Sequence, residues 1–242
     1  MTADDQPGRV TPFDGVADKY DSARPGYPED AVAWLVGRRR ASVLDLGAGT
    51  GKLTRSLVAA GHDVIAVDPS EPMLDRLVAA SPQVRAATGT AEGIPLPDDS
   101  VDVVTVAQAF HWFEPRRALT EIARVLRPSG HLALVWNLPD RSVGWVAELW
   151  AVILSSDEPR EVERPSLDPP FQPAETATFT HEQRLDRDGL LALVASRSYV
   201  AVLPQEQRAD LLAAAGSIYD AHADADGIVL PYSTVGFRST LR

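Results

Sequence analysis

The sequence predicts a doubly wound α/β protein with a mostly parallel sheet. Three observations carry the prediction. Short apolar, β-branched runs (SVLDL, VIAV, VDVVTV, HLALVW) alternate with segments of helical spacing. A glycine-rich turn, Gly47-Ala48-Gly49-Thr50-Gly51, follows the first run directly. An acid, Asp68, closes the second run about 20 residues after Gly47. Runs apolar at nearly every position suit strands covered by helices on both faces, the setting of parallel βαβ units.

Taken in order, residues 1–40 read as a helical cap, with helices at 16–20 and 28–36. Residues 42–46 form the first strand. The spacing predicts a helix over 50–60, with Leu53, Leu57 and Val58 on one face and Gly61 ending it. A second strand covers 64–67, and a second helix covers 71–80, with Met73, Leu74, Leu77 and Val78 inward. A weaker third strand lies at 84–87 and a fourth at 101–106. A helix over 117–126 stops at Pro128 and Gly130, and a fifth strand covers 131–136. Beyond it, 143–154 reads as helix, 158–173 as a loop rich in Pro and charge, and 176–185 as a strand. Helices follow at 188–197 and 205–221, and a seventh strand at 227–240, where Pro231 marks an edge or an irregularity.

Composition narrows the function. A net charge of -11 repels phosphate backbones at long range, so nucleic acid is not the expected partner. The one compact basic cluster, Arg38-Arg39-Arg40, precedes an apolar strand and reads as a solvated helix end. The chain has no cysteine, which excludes disulfides, thiolate metal sites and cysteine nucleophiles. Its five histidines show no H-x-x-x-H pairing, so no metal site is expected. No apolar run reaches the ~18 residues of a membrane helix. The opening MTADDQPGRVTPFDG lacks the basic-then-apolar pattern of a signal peptide. The expectation is a cytoplasmic monomer or homodimer with no membrane partner.

The densest chemical signal is the glycine turn. Glycines between a strand and a helix let a ligand approach the backbone, and the helix start offers free N–H groups. Asp68, at the end of the second strand, can accept hydrogen bonds from both hydroxyls of a ribose. Turn plus acid implies an adenosine-containing ligand. A dinucleotide fingerprint wants G-x-G-x-x-G, but Lys52 stands where its third glycine belongs. A phosphate-binding loop needs Gly-Lys-Ser/Thr, and Gly51-Lys52-Leu53 fails that. Asp45, two residues before the first glycine, suits a ligand with an ammonium group better than a pyrophosphate.

At these residues the chain resembles the class I S-adenosylmethionine-dependent methyltransferases, and within them the methyltransferase type 11 domain. DLGAGTGKLT, from Asp45 to Thr54, is similar to that family's first motif. GTAEGIPLPDDSVDVV, from Gly89 to Val104, resembles its region after the third strand. Residues 119–135, with Leu126-Arg127-Pro128-Ser129-Gly130, resemble its last helix and fifth strand. The likeness covers roughly 42–137 and implies a Rossmann-like fold with S-adenosylmethionine as cofactor and S-adenosylhomocysteine as product. It implies a single domain over 1–242: a cap over 1–40, a cofactor-binding core over 41–137, and a lid insertion with completion of the sheet over 138–242. Asp45, Gly47, Ala48, Gly49, Thr50 and Gly51 then surround the methionine part. Asp68, with Pro69 beside it, holds the ribose. Met73 packs near the adenine, Ala91 and Glu92 lie at its edge, and Gln108 borders the sulfonium. The stretch from Tyr20 to Pro28, and Ser196-Arg197-Ser198-Tyr199, resemble a subgroup that includes trans-aconitate methyltransferases, whose substrates are small carboxylic acids. In that likeness Tyr20 closes over the cofactor, and Arg24 pairs with a carboxylate of cofactor or substrate.

The acceptor is expected beyond the carboxyl ends of the strands. There the fourth strand runs into Gln108-Ala109-Phe110-His111-Trp112-Phe113. Phe110 and Phe113 suit core packing, while His111 and Trp112 suit a pocket wall, with Tyr27 facing them from the N-terminal stretch. A sulfonium methyl is already activated, so its transfer needs chiefly alignment and exclusion of water. A carboxylate acceptor needs no base; for a hydroxyl or amine, His111 is the candidate. The competing readings are an NAD-dependent oxidoreductase, a non-catalytic S-adenosylmethionine-binding protein, and a nucleic-acid methyltransferase. The last is disfavoured by acidity and by QAFHWF in place of an N-P-P-Y/F tetrapeptide.

Overall fold

The computed structural model describes residues 24–153, 162–167, 169–197, 200 and 202–242. Helix α1 (Glu29–Val36) precedes a run of βαβ units: β1 (Ser42–Leu46), α2 (Lys52–Ala59), β2 (Asp63–Asp68), α3 (Glu71–Ala80), β3 (Arg85–Thr88) and β4 (Val101–Ala107). A 3-10 turn (Phe110–Trp112) then leads to α4 (Pro115–Val125) and β5 (Leu126–Pro139). The rest of the chain adds α5 (Gly144–Ile153), β6 (Glu175–Leu185), α6 (Arg187–Ala195), α7 (Gln205–His222) and β7 (Ile228–Thr240). Among the described residues seven strands form one sheet in the order β3-β2-β1-β4-β5-β7-β6. β1 to β5 pair in parallel, and β7 runs antiparallel to both β5 and β6. The chain therefore turns one way from β1 to β2 and the other way to β4. The crevice at the carboxyl ends of β1 and β4 is the switch point where open α/β sheets take ligands.

Side chains alternate across the sheet, and both faces are covered. On one face Leu44, Leu46, Val104, Val106, Leu132 and Leu134 pack with Ala118, Leu119, Ile122 and Val125 of α4. On the other, Val43, Val103, Ala133 and Val135 meet Val32 and Leu35 of α1 and Leu53 and Leu57 of α2. This explains why VDVVTV and HLALVW are apolar at nearly every position. A further cluster gathers α5, α6 and α7 around Trp150, with Leu185, Ile228 and Leu230 from the ends of β6 and β7.

Helix α1 is held to the sheet at its C-terminal carbonyls, which have no partner within the helix. His131 Nε2 donates to Leu35 O at 2.8 Å, the carbonyl being an acceptor only. Arg238 Nη1 donates to Trp34 O at 3.0 Å, and the guanidinium lies 4.9 Å from the centre of the Trp34 ring. Just past α1, Arg40 forms a two-pronged pair with Asp63 at 2.8 and 2.6 Å. The pair is exposed, as a solvated helix end should be.

Some expectations change. The helix expected over 117–126 begins at Pro115, because Glu114 caps it by accepting from Arg116 N and Arg117 N at 3.2 and 2.8 Å. It ends at Val125, so Pro128 and Gly130 stop no helix. They lie inside β5, at a register shift opposite Val101 and Val103. Gly130 is required there, since a Cβ would stand 2.8 Å from Asp102 O. Pro231 lies in an internal strand, not at an edge: its carbonyl accepts from Asp140 N at 2.9 Å, one step beyond the Pro139–Tyr232 pair. Its missing N–H faces the side where the β5 ladder has ended. The helix expected at 16–20 lies outside the described residues. No helix among those described is long and apolar enough to cross a membrane.

Candidate functional site

The turn after β1 is shaped by φ angles that side-chain-bearing residues resist: +71° at Gly47, +54° at Gly49 and +86° at Gly51. Space is short as well. A Cβ on Gly47 would stand 2.8 Å from Ala109 Cβ, and one on Gly51 would stand 2.7 Å from Leu77 Cγ. The N–H groups of Gly47 and Ala48 both donate to Val67 O, at 2.8 and 3.2 Å, which ties the turn to β2.

Asp68 fixes the far side of the turn. Its Oδ2 accepts from Gly49 N and its Oδ1 from Ser70 N, each at 2.9 Å. Pro69 lies between these anchor points. Met73, on α3, is buried with its sulfur 3.6 Å from where a Gly49 Cβ would be. Ala91 is buried in the core beneath, and Glu92 Oε1 accepts from Glu114 N at 2.8 Å, steadying the start of α4.

Asp45 is the second acid. It is 1% exposed; the Thr54 hydroxyl donates to Oδ2 at 2.6 Å and the Thr105 hydroxyl to Oδ1 at 3.2 Å, and the Thr54 backbone N–H is a further neutral partner. Burial pushes its carboxyl up to about 6, and the charge of Asp68 adds to this; the two hydroxyls hold it back.

A cleft opens above these groups at the carboxyl ends of β1, β4 and β5. The turn contributes Asp45, Gly47 to Thr50, Lys52 and Leu53; the sheet contributes Ala107, Gln108 and Asn137; the N-terminal segment contributes Arg24, Pro25 and Tyr27. Gln108 has a φ of +57°, strained for a residue with a side chain. Its N–H donates to Val135 O at 3.0 Å, and its Nε2 to Asn137 O at 3.1 Å. Arg24 is held from the distant α6 end, its Nε and Nη2 donating to Ser196 Oγ and O at 3.1 Å each.

Of the expected site residues, Arg24, Tyr27, Asp45, Gly47, Ala48, Gly49, Thr50 and Gln108 come together on this cleft or in its wall. Gly51, Asp68, Pro69, Met73, Ala91 and Glu92 are not in the cleft lining; Gly51 closes the turn, and Asp68 and Met73 contact it at Gly49. Tyr20 and the Ser198-Tyr199 pair lie outside the described residues. His111 and Trp112 do not line the cleft; both are exposed on the 3-10 turn, their ring centres 5.0 Å apart. Desolvation by neighbouring protein lowers the His111 pKa. Phe110 and Phe113 pack edge-to-face at 5.9 Å, Phe110 being buried. Sequence reasoning missed Asn137, Lys52 and Leu53. For Asn137 a signal existed: a polar residue ends the apolar fifth strand beside Gln108, which ends the fourth. Among the described residues, no three His, Asp or Glu side chains converge as a metal site.

Comparison with known proteins gives a consistent result. A family model described as a methyltransferase domain matches residues 44–134, the stretch from β1 into β5 that builds the turn. The chain is 47% identical over 232 residues to an uncharacterized methyltransferase of Mycobacterium tuberculosis, covering 95% of each chain. It is 36% identical over 238 residues to an uncharacterized methyltransferase-like protein of Schizosaccharomyces pombe, covering 93% of each. Among solved structures, a proposed type II methyltransferase from Anaeromyxobacter dehalogenans is similar with a TM-score of 0.71 at 30% identity, over 90% of this chain and 97% of that one.

Proposed function

The chain belongs to the class I S-adenosylmethionine-dependent methyltransferases, and from that premise we propose that it transfers a methyl group from S-adenosylmethionine to an oxygen of a small-molecule acceptor, leaving S-adenosylhomocysteine. The observation that carries the cofactor assignment is Asp45, a buried carboxylate in the cleft wall whose hydrogen-bond partners among the described residues are neutral. Such a group favours a cationic ligand. S-adenosylmethionine brings an ammonium and a sulfonium. A dinucleotide brings a pyrophosphate, which at the turn would meet the acid Asp45.

The residues fit the cofactor by their chemistry. Asp45 and the turn from Gly47 to Gly51 hold the amino-acid part. Asp68, with Pro69 beside it, accepts from the ribose hydroxyls. Met73, Ala91 and Glu92 surround the adenine. Gln108 borders the sulfonium, and Arg24 pairs with a carboxylate. When bound, the cofactor supplies a methyl group already activated for displacement. What remains for the chain is alignment and exclusion of water. Tyr27, in the cleft wall, faces the acceptor, and Trp112 stands outside the cleft on the 3-10 turn. A carboxylate acceptor needs no base. For a hydroxyl acceptor long enough to reach the 3-10 turn, His111 is the candidate base from outside the cleft, and its lowered pKa favours the neutral ring.

The test is transfer of labelled methyl from S-adenosylmethionine to a panel of small carboxylic acids, phenols and amines, with wild type and His111→Ala. Turnover of acids that survives His111→Ala supports a carboxylate acceptor. Turnover of phenols that is lost in His111→Ala supports the base. Turnover of amines alone overturns the oxygen-acceptor reading.

A further inference from the structure

Asn137 is the polar residue where the sheet meets the N-terminal wall of the cleft, and its orientation follows from its partners. Its Nδ2 donates to Gly26 O at 2.9 Å. A carbonyl can only accept, so the NH2 end of the amide must face Gly26. Oδ1 then faces Thr234 Oγ1, 2.6 Å away, and the hydroxyl must donate to it. The single hydroxyl proton is thereby used. Thr234 Oγ1 also lies 3.1 Å from His181 Nδ1, so that nitrogen must carry a proton and donate to the hydroxyl oxygen. His181 therefore carries a proton on Nδ1, and in the neutral ring this is the tautomer less favoured by free imidazole side chains. Its Nε2 is buried and has no hydrogen-bond partner among the described residues. The ring is held flat against Tyr232, with centres 5.2 Å apart and planes at 13°.

The chain of donors thus runs one way, from β6 through β7 and β5 to the segment that bears Arg24 and Tyr27. Thr234 is fully buried, and Asn137 is 7% exposed, so water does not compete along it. We propose that His181 is a positioning residue: through the Thr234 hydroxyl it locks the Asn137 amide in one orientation and so holds the Gly26 backbone, between the cleft-lining Pro25 and Tyr27, in place. This rests on the cofactor reading above for its effect on ligand binding, and on geometry alone for the tautomer.

The test has two independent parts. Nitrogen NMR of histidine-labelled protein at pH 7.5 reads the tautomer, and the expected result is a proton on Nδ1 of His181. A proton on Nε2 alone overturns the proposal whether or not the protein binds the cofactor. Calorimetry with S-adenosylhomocysteine reads the consequence. Thr234→Val deletes the relay proton and is expected to weaken binding about tenfold, the size of one neutral hydrogen bond. Thr234→Ser keeps the hydroxyl and is expected within about twofold of wild type. His181→Asn puts an N–H where Nδ1 stands and is expected to bind like wild type, while His181→Gln, reaching the Nε2 position, behaves like Thr234→Val. Equal binding by Thr234→Val and wild type overturns the positioning role. Failure of the wild type itself to bind contradicts the cofactor reading and leaves the tautomer to decide the relay.

Discussion

Replacing Asp45 with Asn should stabilise the ligand-free protein and cripple ligand binding. In the folded state burial raises the Asp45 carboxyl from its ordinary 3.8 to about 6. Between these values the folded protein holds a proton that the unfolded chain has released. Stability from this group is therefore fully present below about pH 4 and lost as pH rises through 6. The full loss is about 3 kcal/mol. Asn removes the charge. One threonine hydroxyl must then turn to accept from the new NH2, and Thr105 can do so by giving up its weaker 3.2 Å bond. A net gain of about 2 kcal/mol at pH 8 is expected, or roughly 4–8 °C in Tm for a chain of this size. Urea unfolding of both proteins at pH 8 and pH 4 measures it, and the gain should shrink toward zero at the lower pH. The same variant should bind S-adenosylmethionine at least tenfold more weakly, because the carboxylate proposed to face the ammonium is gone. Destabilisation at pH 8, or a difference that does not change with pH, would refute the view of Asp45 as a buried charge waiting for a cationic ligand.

Gly51→Ala must place a Cβ 2.7 Å from Leu77 Cγ at a φ of +86°, so a loss of about 2–4 kcal/mol in urea unfolding is expected; a near-neutral variant would show the turn to be pliable. Glu114→Ala removes the cap of α4 and should cost about 1 kcal/mol by the same assay, with S-adenosylhomocysteine binding retained. Burial lowers the pKa of His62, so acidification below about 6.5 protonates the unfolded chain more readily than the folded one and stability falls. His62→Leu should therefore lose stability less steeply than wild type between pH 7.5 and 5.5, and parallel slopes would contradict the assignment.

The core was legible because its strands are buried on both faces, and an uninterrupted apolar run such as VDVVTV has few other uses. The glycine turn and Asp68 were legible because a close ligand approach and a strand-end acid leave local marks. The start of β5 was not, since Pro128 and Gly130 carry the local signature of a break; the register shift that accommodates them exists only between paired strands. Pro231 misled for a related reason: whether its missing N–H matters depends on where β5 stops. Asn137 and Arg24 show the limit most clearly. Asn137 acquires its role from Thr234, 97 residues away, and Gly26, 111 residues away, while Arg24 is held by Ser196 across 172 residues. No periodicity encodes such meetings.

The central claim is that the cleft above Asp45 and Asp68 holds S-adenosylmethionine. Calorimetric titration of S-adenosylmethionine, S-adenosylhomocysteine and NAD into wild type and Asp68→Ala tests it most directly. The account predicts binding of the two adenosyl-sulfur ligands, loss or strong weakening of both in Asp68→Ala, and no response to NAD. Binding of NAD without a response to S-adenosylmethionine would contradict it.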